Sequence, residues 1–82
     1  TLTEERRRDL VKVVHHRLEE TRIAIRNVRR DIMKDLREYE KEKLISEDDL
    51  EEAEEELQKL TDKEIHQVEL IGERKQKEIM EV

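Results

Sequence analysis

Apolar residues recur along the first half of the chain at Leu10, Val14, Leu18, Thr21, Ile25, Val28, Ile32, Leu36 and Tyr39, in alternating steps of three and four. Thr21 is the weak member. Such spacing puts them on one stripe of an α-helix. No glycine or proline interrupts the stretch, so the spacing predicts one helix from about Glu4 to Lys43, roughly 60 Å long at 1.5 Å per residue. A helix of that length draws its stability from packing on a partner rather than from propensity alone. Its start is marked by Thr1-Leu2-Thr3-Glu4, where a threonine hydroxyl can accept from free backbone N–H groups while a glutamate reaches back.

A second stripe follows at Leu50, Ala53, Leu57, Leu60, Ile65, Val68, Ile71 and Ile79. Its start signal is stronger. Ser46 is placed as the cap, Asp49 as the third helical residue, and Ile45 as a staple onto Leu50, while Glu47 and Asp48 face the positive end of the helix dipole. The expected helix runs from about 47 to 80, joined to the first by a tight turn at 44–46. A connection that short makes the two helices antiparallel neighbours. Gly72 inside the second helix costs about 1 kcal/mol relative to alanine, which implies a close approach of backbones or looser final turns. Glu64 and Lys75 fall near the middle of the second stripe, which suits a shallow, partly open core. Two such stripes cannot be kept dry by one another, so a third helix is expected. The fold class is therefore all-α: one domain over residues 1–82, a long antiparallel hairpin supplying two of the three helices of an elongated bundle.

Composition agrees with long helices: 33% hydrophobic, 51% charged, one glycine, no proline and a single aromatic residue. Without cysteine there is neither a disulfide framework nor thiol chemistry. No apolar run approaches the roughly 20 residues of a membrane span. The chain opens at Thr1 on a helix-start signal, and we expect it to be a piece of a longer protein.

The net charge of −6 conceals an asymmetry. Through Lys43 there are 13 Lys and Arg against 10 Asp and Glu, net +3; from Leu44 onward there are 5 against 14, net −9. The basic half is the one to read for a polyanionic partner. At 100° per residue the apolar stripe of the first helix spans about 280° to 20°. Arg22, Arg26, Arg29, Arg30 and Arg37 fall next to it, between about 20° and 120°, with Arg8 and Lys12 extending the arc, while Asp9, Glu20, Asp31, Asp35, Glu38 and Glu42 lie between about 180° and 260°. Charges sorted in this way gain little from pairing three or four residues apart, and the arginines repel one another. Arginine binds phosphate oxygens in a fork and stacks on exposed bases, so RNA suits such a face. A solvated basic face and a salt-bridge lattice with protein both remain open on periodicity alone.

Five blocks of sequence carry a resemblance: Leu2-Thr-Glu-Glu-Arg-Arg-Arg-Asp-Leu10, Ile25-Arg-Asn-Val-Arg-Arg-Asp31, Ile45-Ser-Glu-Asp-Asp49, Leu57-Gln-Lys-Leu-Thr-Asp-Lys63 and Lys77-Glu-Ile-Met-Glu-Val82. In that order they resemble the C-terminal part of bacterial ribosome recycling factors, across essentially the whole chain. The resemblance implies a three-helix bundle with a small β/α domain inserted between its first and second helices, of which this chain supplies the second and third helices. It implies ribosome recycling after translation termination, with docking on large-subunit ribosomal RNA and subunit separation driven by elongation factor G. The matching RNA-contact positions are Arg22, Arg26, Asn27, Arg29 and Arg30. Neither DNA nor membrane is expected as a partner, and the implied location is the cytoplasm of a bacterium, or an organelle. Glu64 departs from the family, which commonly carries an apolar or aromatic residue there.

Other chemistry is weakly supported. His15, His16 and His66 lack metal-ligand spacing, and the acid-rich stretch Glu47 to Glu56 lacks the glycine turn of a calcium loop. Lys59 and Asp62 are expected to pair with the first helix or meet a partner, and Met33 and Met80 to fill the seam edge. No nucleophile constellation or phosphate-cradling glycine loop exists, so neither enzymatic activity nor a cofactor is expected. The alternative function is a helical hairpin that associates with itself through its open seam and binds no RNA.

Overall fold

The computed structural model describes residues 3–81, and the cap option at Thr1 lies outside them. The described residues form two helices, α1 (Glu4–Lys41) and α2 (Glu47–Glu81), laid side by side in a rod 61 Å in its longest dimension. Thr3 caps α1, its hydroxyl accepting from the Arg6 N–H at 3.1 Å. Glu4 and Glu5 follow in the first turn, where negative charge opposes the dipole.

The end of α1 falls two residues before the expected Lys43. Lys43 adopts φ 62°, the left-handed conformation, while its N–H donates to the Glu40 carbonyl at 2.9 Å and the Leu44 N–H donates to the Tyr39 carbonyl at 2.8 Å. These paired bonds make a Schellman cap. Glycine is the usual residue at that position, and the sequence carries lysine. Three residues later the chain re-enters helix through the expected capping box: the Asp49 N–H donates to Ser46 Oγ at 3.0 Å, and the Ser46 N–H donates to Asp49 Oδ2 at 3.1 Å. The Ser46 backbone N–H, and after it the Ser46 hydroxyl, hold the Asp49 carboxyl below its ordinary value of 3.8.

The line of contact between the helices differs from the expected stripe. On α1 the residues withdrawn from solvent include Arg7, Val11, Val14, Leu18, Arg22, Ile25, Arg29, Met33, Leu36 and Glu40; on α2 they include Leu50, Glu54, Leu57, Thr61, Ile65, Val68, Gly72 and Ile79. Both sets repeat every eleven residues, as in 7-18-29-40 and 50-61-72. Eleven residues in three turns is 3.67 per turn, so the contact line stays close to the helix axis without the left-handed coiling of a heptad. Relative to the apolar stripe, the line on α1 is turned toward the arginine side. Thr21, Val28, Ile32 and Tyr39 are exposed as a result, Val28 at 57%.

Met33 is the buried hydrophobic residue among the described ones, rather than an edge filler, while Met80 is exposed. The seam narrows at two small residues of α2. Thr61 is buried, its hydroxyl donating to the Leu57 carbonyl at 2.7 Å, which satisfies an otherwise costly polar group. Gly72 is buried under Leu18. Close approach, the first of the two explanations for an interior glycine, is the one observed.

Candidate nucleic-acid interface

Each side of the seam has its own chemistry. One flank is apolar: a groove of about 310 Å³ is lined by residues including Ala24, Val28, Ile32, Leu57, Leu60 and Glu64, and another of about 360 Å³ by residues including Val13, Thr21, Val68, Ile71 and Lys75. Glu64 and Lys75, which interrupt the second stripe, sit in these grooves and are exposed there. The opposite flank carries Arg26, Arg29 and Arg30 in one shallow depression with Gln58, Thr61, Asp62 and Ile65.

The arginine arc divides into paired and unpaired members. Arg22 is half-buried and held by two acids, Glu19 at 3.2 Å on its own helix and Glu69 at 3.7 Å across the seam. Arg37 meets Glu54 across the seam at 3.7 Å, and Arg8 lies 3.8 Å from Glu4. Arg26, Arg29 and Arg30 have no carboxylate within 4.0 Å among the described residues, and Arg29 Nε is shut from solvent without a hydrogen-bond partner there. The unpaired arginines of the arc lie between the Arg22–Glu69 and Arg37–Glu54 pairs, fifteen positions apart on α1, or about 22 Å.

These positions follow from the seam. Arg22 and Arg29 stand on the line facing α2, where long side chains lie along apolar surface while their charged ends reach outward. Arg26 and Arg30 stand one step further out and are exposed. Asn27 is also exposed, about 100° beyond Arg26 on the outward side of α1, and does not line the depression.

Gln58 of the depression escapes sequence reasoning, and Asp62 is expected from sequence either to pair with α1 or to meet a partner. Asp62 does not pair with α1: Oδ1 accepts from Gln58 Nε2 of its own helix at 2.9 Å. No ion pair joins Lys59 to α1 within 4.0 Å among the described residues. Only the antiparallel register, which brings residue 62 opposite the arginine block, reveals this.

Elsewhere His16 Nε2 lies 3.0 Å from Glu20 Oε1 on the outer surface of α1. Among the described residues, no three histidine or acidic side chains gather in a way that holds a metal ion. No helix there is long and apolar enough to cross a membrane.

Residues 1–80 match the family described as "Ribosome recycling factor". Over 81 residues, or 99% of its length, the chain is 56% identical to a ribosome-recycling factor of Symbiobacterium thermophilum, 54% identical to one of Heliobacterium modesticaldum and 53% identical to one of Chloroflexus aurantiacus. It spans about 44% of the length of each of these relatives. Matched along essentially all of its own length, the chain belongs to the ribosome recycling factor family, a family of non-enzymatic translation factors.

Proposed function

We propose that this hairpin is the RNA-docking arm of a factor that recycles ribosomes after termination, and that it meets large-subunit ribosomal RNA through its cationic flank. The observation that carries this reading is the block of Arg26, Arg29 and Arg30, three like charges without a carboxylate partner among the described residues, between the ion pairs that hold Arg22 and Arg37. Their mutual repulsion is relieved when phosphate oxygens approach. Because the deep groove of A-form RNA shuts side chains out, binding comes from phosphates and shape rather than base sequence. Arg26, Arg29 and Arg30 form the centre of the contact, Asn27 its outer border, and Arg22 its edge, where Glu69 already holds the guanidinium.

On the same reading, the apolar flank receives the remaining bundle helix of the longer relatives. Elongation factor G as protein partner rests on family membership, since no residue of the hairpin singles it out. Co-sedimentation with large ribosomal subunits tests the docking reading: the chain is expected to pellet with them, and Arg26→Ala/Arg29→Ala/Arg30→Ala to remain in the supernatant. Equal pelleting of both defeats it.

The open apolar flank favours a second reading, self-association of the hairpin. Val28, Leu60 and Ile71 are each more than half exposed along it. A sedimentation coefficient that rises with concentration would support this reading, and a constant monomer value would exclude it.

A further inference from the structure

Asp62 stands in a depression whose other charged members are Arg26, Arg29 and Arg30, yet no arginine nitrogen lies within 4.0 Å of it. Its position is set from its own helix, where Gln58, four residues earlier, donates to Oδ1 at 2.9 Å. The other carboxylate oxygen is left as an acceptor at an exposed residue. A carboxylate beside a phosphate-binding block weakens that block for phosphate alone. It is favourable only where the ligand also brings a hydrogen-bond donor.

The sugar-phosphate backbone of RNA carries one such donor, the ribose 2′-hydroxyl, and that of DNA carries none. We propose that Asp62 accepts a hydrogen bond from a 2′-hydroxyl of the strand whose phosphates Arg26, Arg29 and Arg30 hold, and so makes this flank selective for RNA; the inference rests on the RNA-docking reading above. Gln58 is the positioning residue, fixing the carboxylate so that its second oxygen faces the ligand's donor. Pairing the acceptor with the cations gives recognition of sugar and phosphate together, without a contact to any base.

The test compares binding of two probes at one salt concentration: an RNA stem-loop of mixed sequence, and the same stem-loop fully 2′-fluorinated. The fluorinated probe keeps the phosphates and the A-form but loses the donor. The chain is expected to prefer the hydroxylated probe by about fivefold, in keeping with one partly solvated hydrogen bond to a charged acceptor. Asp62→Ala is expected to bind both probes equally. Asp62→Asn, which keeps an acceptor oxygen and loses the charge, should bind both more tightly while still preferring the hydroxylated one. Circular dichroism checks that both variants remain helical.

An Asp62→Ala variant that retains the full preference, or a wild-type chain with none, overturns the inference while leaving RNA docking intact. If the wild-type chain binds neither probe, or if alanine at Arg26, Arg29 and Arg30 leaves both affinities unchanged, the docking reading itself is lost and the inference with it.

Discussion

Leu18 of α1 fills the space that a β-carbon at position 72 of α2 would need: built there, that carbon would stand 2.8 Å from Leu18 Cδ2 and 3.1 Å from Leu18 Cγ. Glycine is therefore retained in mid-helix despite its conformational cost. Gly72→Ala gains about 1 kcal/mol of helix propensity and loses about 2 kcal/mol to overpacking, so the net change is destabilising by about 1 kcal/mol. In a Leu18→Ala background the methyl has room, and the same substitution should stabilise. Urea unfolding of the four members of this cycle, followed by helicity, measures the change of sign.

Lys43 carries the left-handed residue of the Schellman cap without glycine's freedom. Lys43→Gly is expected to stabilise the hairpin by about 1 kcal/mol, because an L side chain is strained at positive φ. Lys43→Val should destabilise it, since a β-branched residue tolerates that conformation worst. Thermal melts of the two variants should move in opposite directions.

The capping box gives the hairpin an acid-sensitive turn. Bonds from Ser46 lower the Asp49 pKa from its ordinary 3.8, so the folded form binds the proton less readily than the unfolded chain. This contribution to stability is complete above the unfolded value and is lost as pH falls through the lower folded value. The melting temperature of Asp49→Asn should lie below wild type at pH 6, and the gap should narrow below about pH 3.8. At neutral pH, Ser46→Ala is expected to cost about 1 kcal/mol.

Much of this architecture is legible in the sequence, and the capping box and turn place the ends of both helices to within two residues of those observed. What the apolar pattern conceals is how its width is shared. A stripe that serves two neighbours shows their combined footprint, so Val28, Ile32 and Tyr39 read as seam residues although they lie exposed beside the contact line. The line actually used is the eleven-residue repeat, and it is hidden because Arg7, Arg22, Arg29, Glu40 and Glu54 occupy places on it. Long charged side chains can lie in a seam along their stems, whereas a hydropathy pattern counts them as surface. The arginine face is visible by angle alone, but its division is not. Glu69 and Glu54, distant in sequence, claim Arg22 and Arg37 and leave the three arginines between them.

That division predicts unequal roles within one arc. Arg22→Ala breaks a cross-seam pair and leaves Glu69 without its partner, so it should lower hairpin stability modestly, by about 0.5 kcal/mol as expected of a partly solvated ion pair. Its effect on RNA affinity should be smaller than that of Arg26→Ala. Melting curves and filter binding on the same two variants check the two halves of this statement.

The most direct measurement is the salt dependence of binding to large ribosomal subunits. Alanine at Arg26, Arg29 and Arg30 should weaken binding and flatten the plot of log affinity against log salt by about 0.7 to 0.9 per lost phosphate contact, while alanine at Arg37 should change the slope little. An unchanged affinity and slope in the triple variant, or an equal loss on changing Arg37, would contradict docking through the unpaired block.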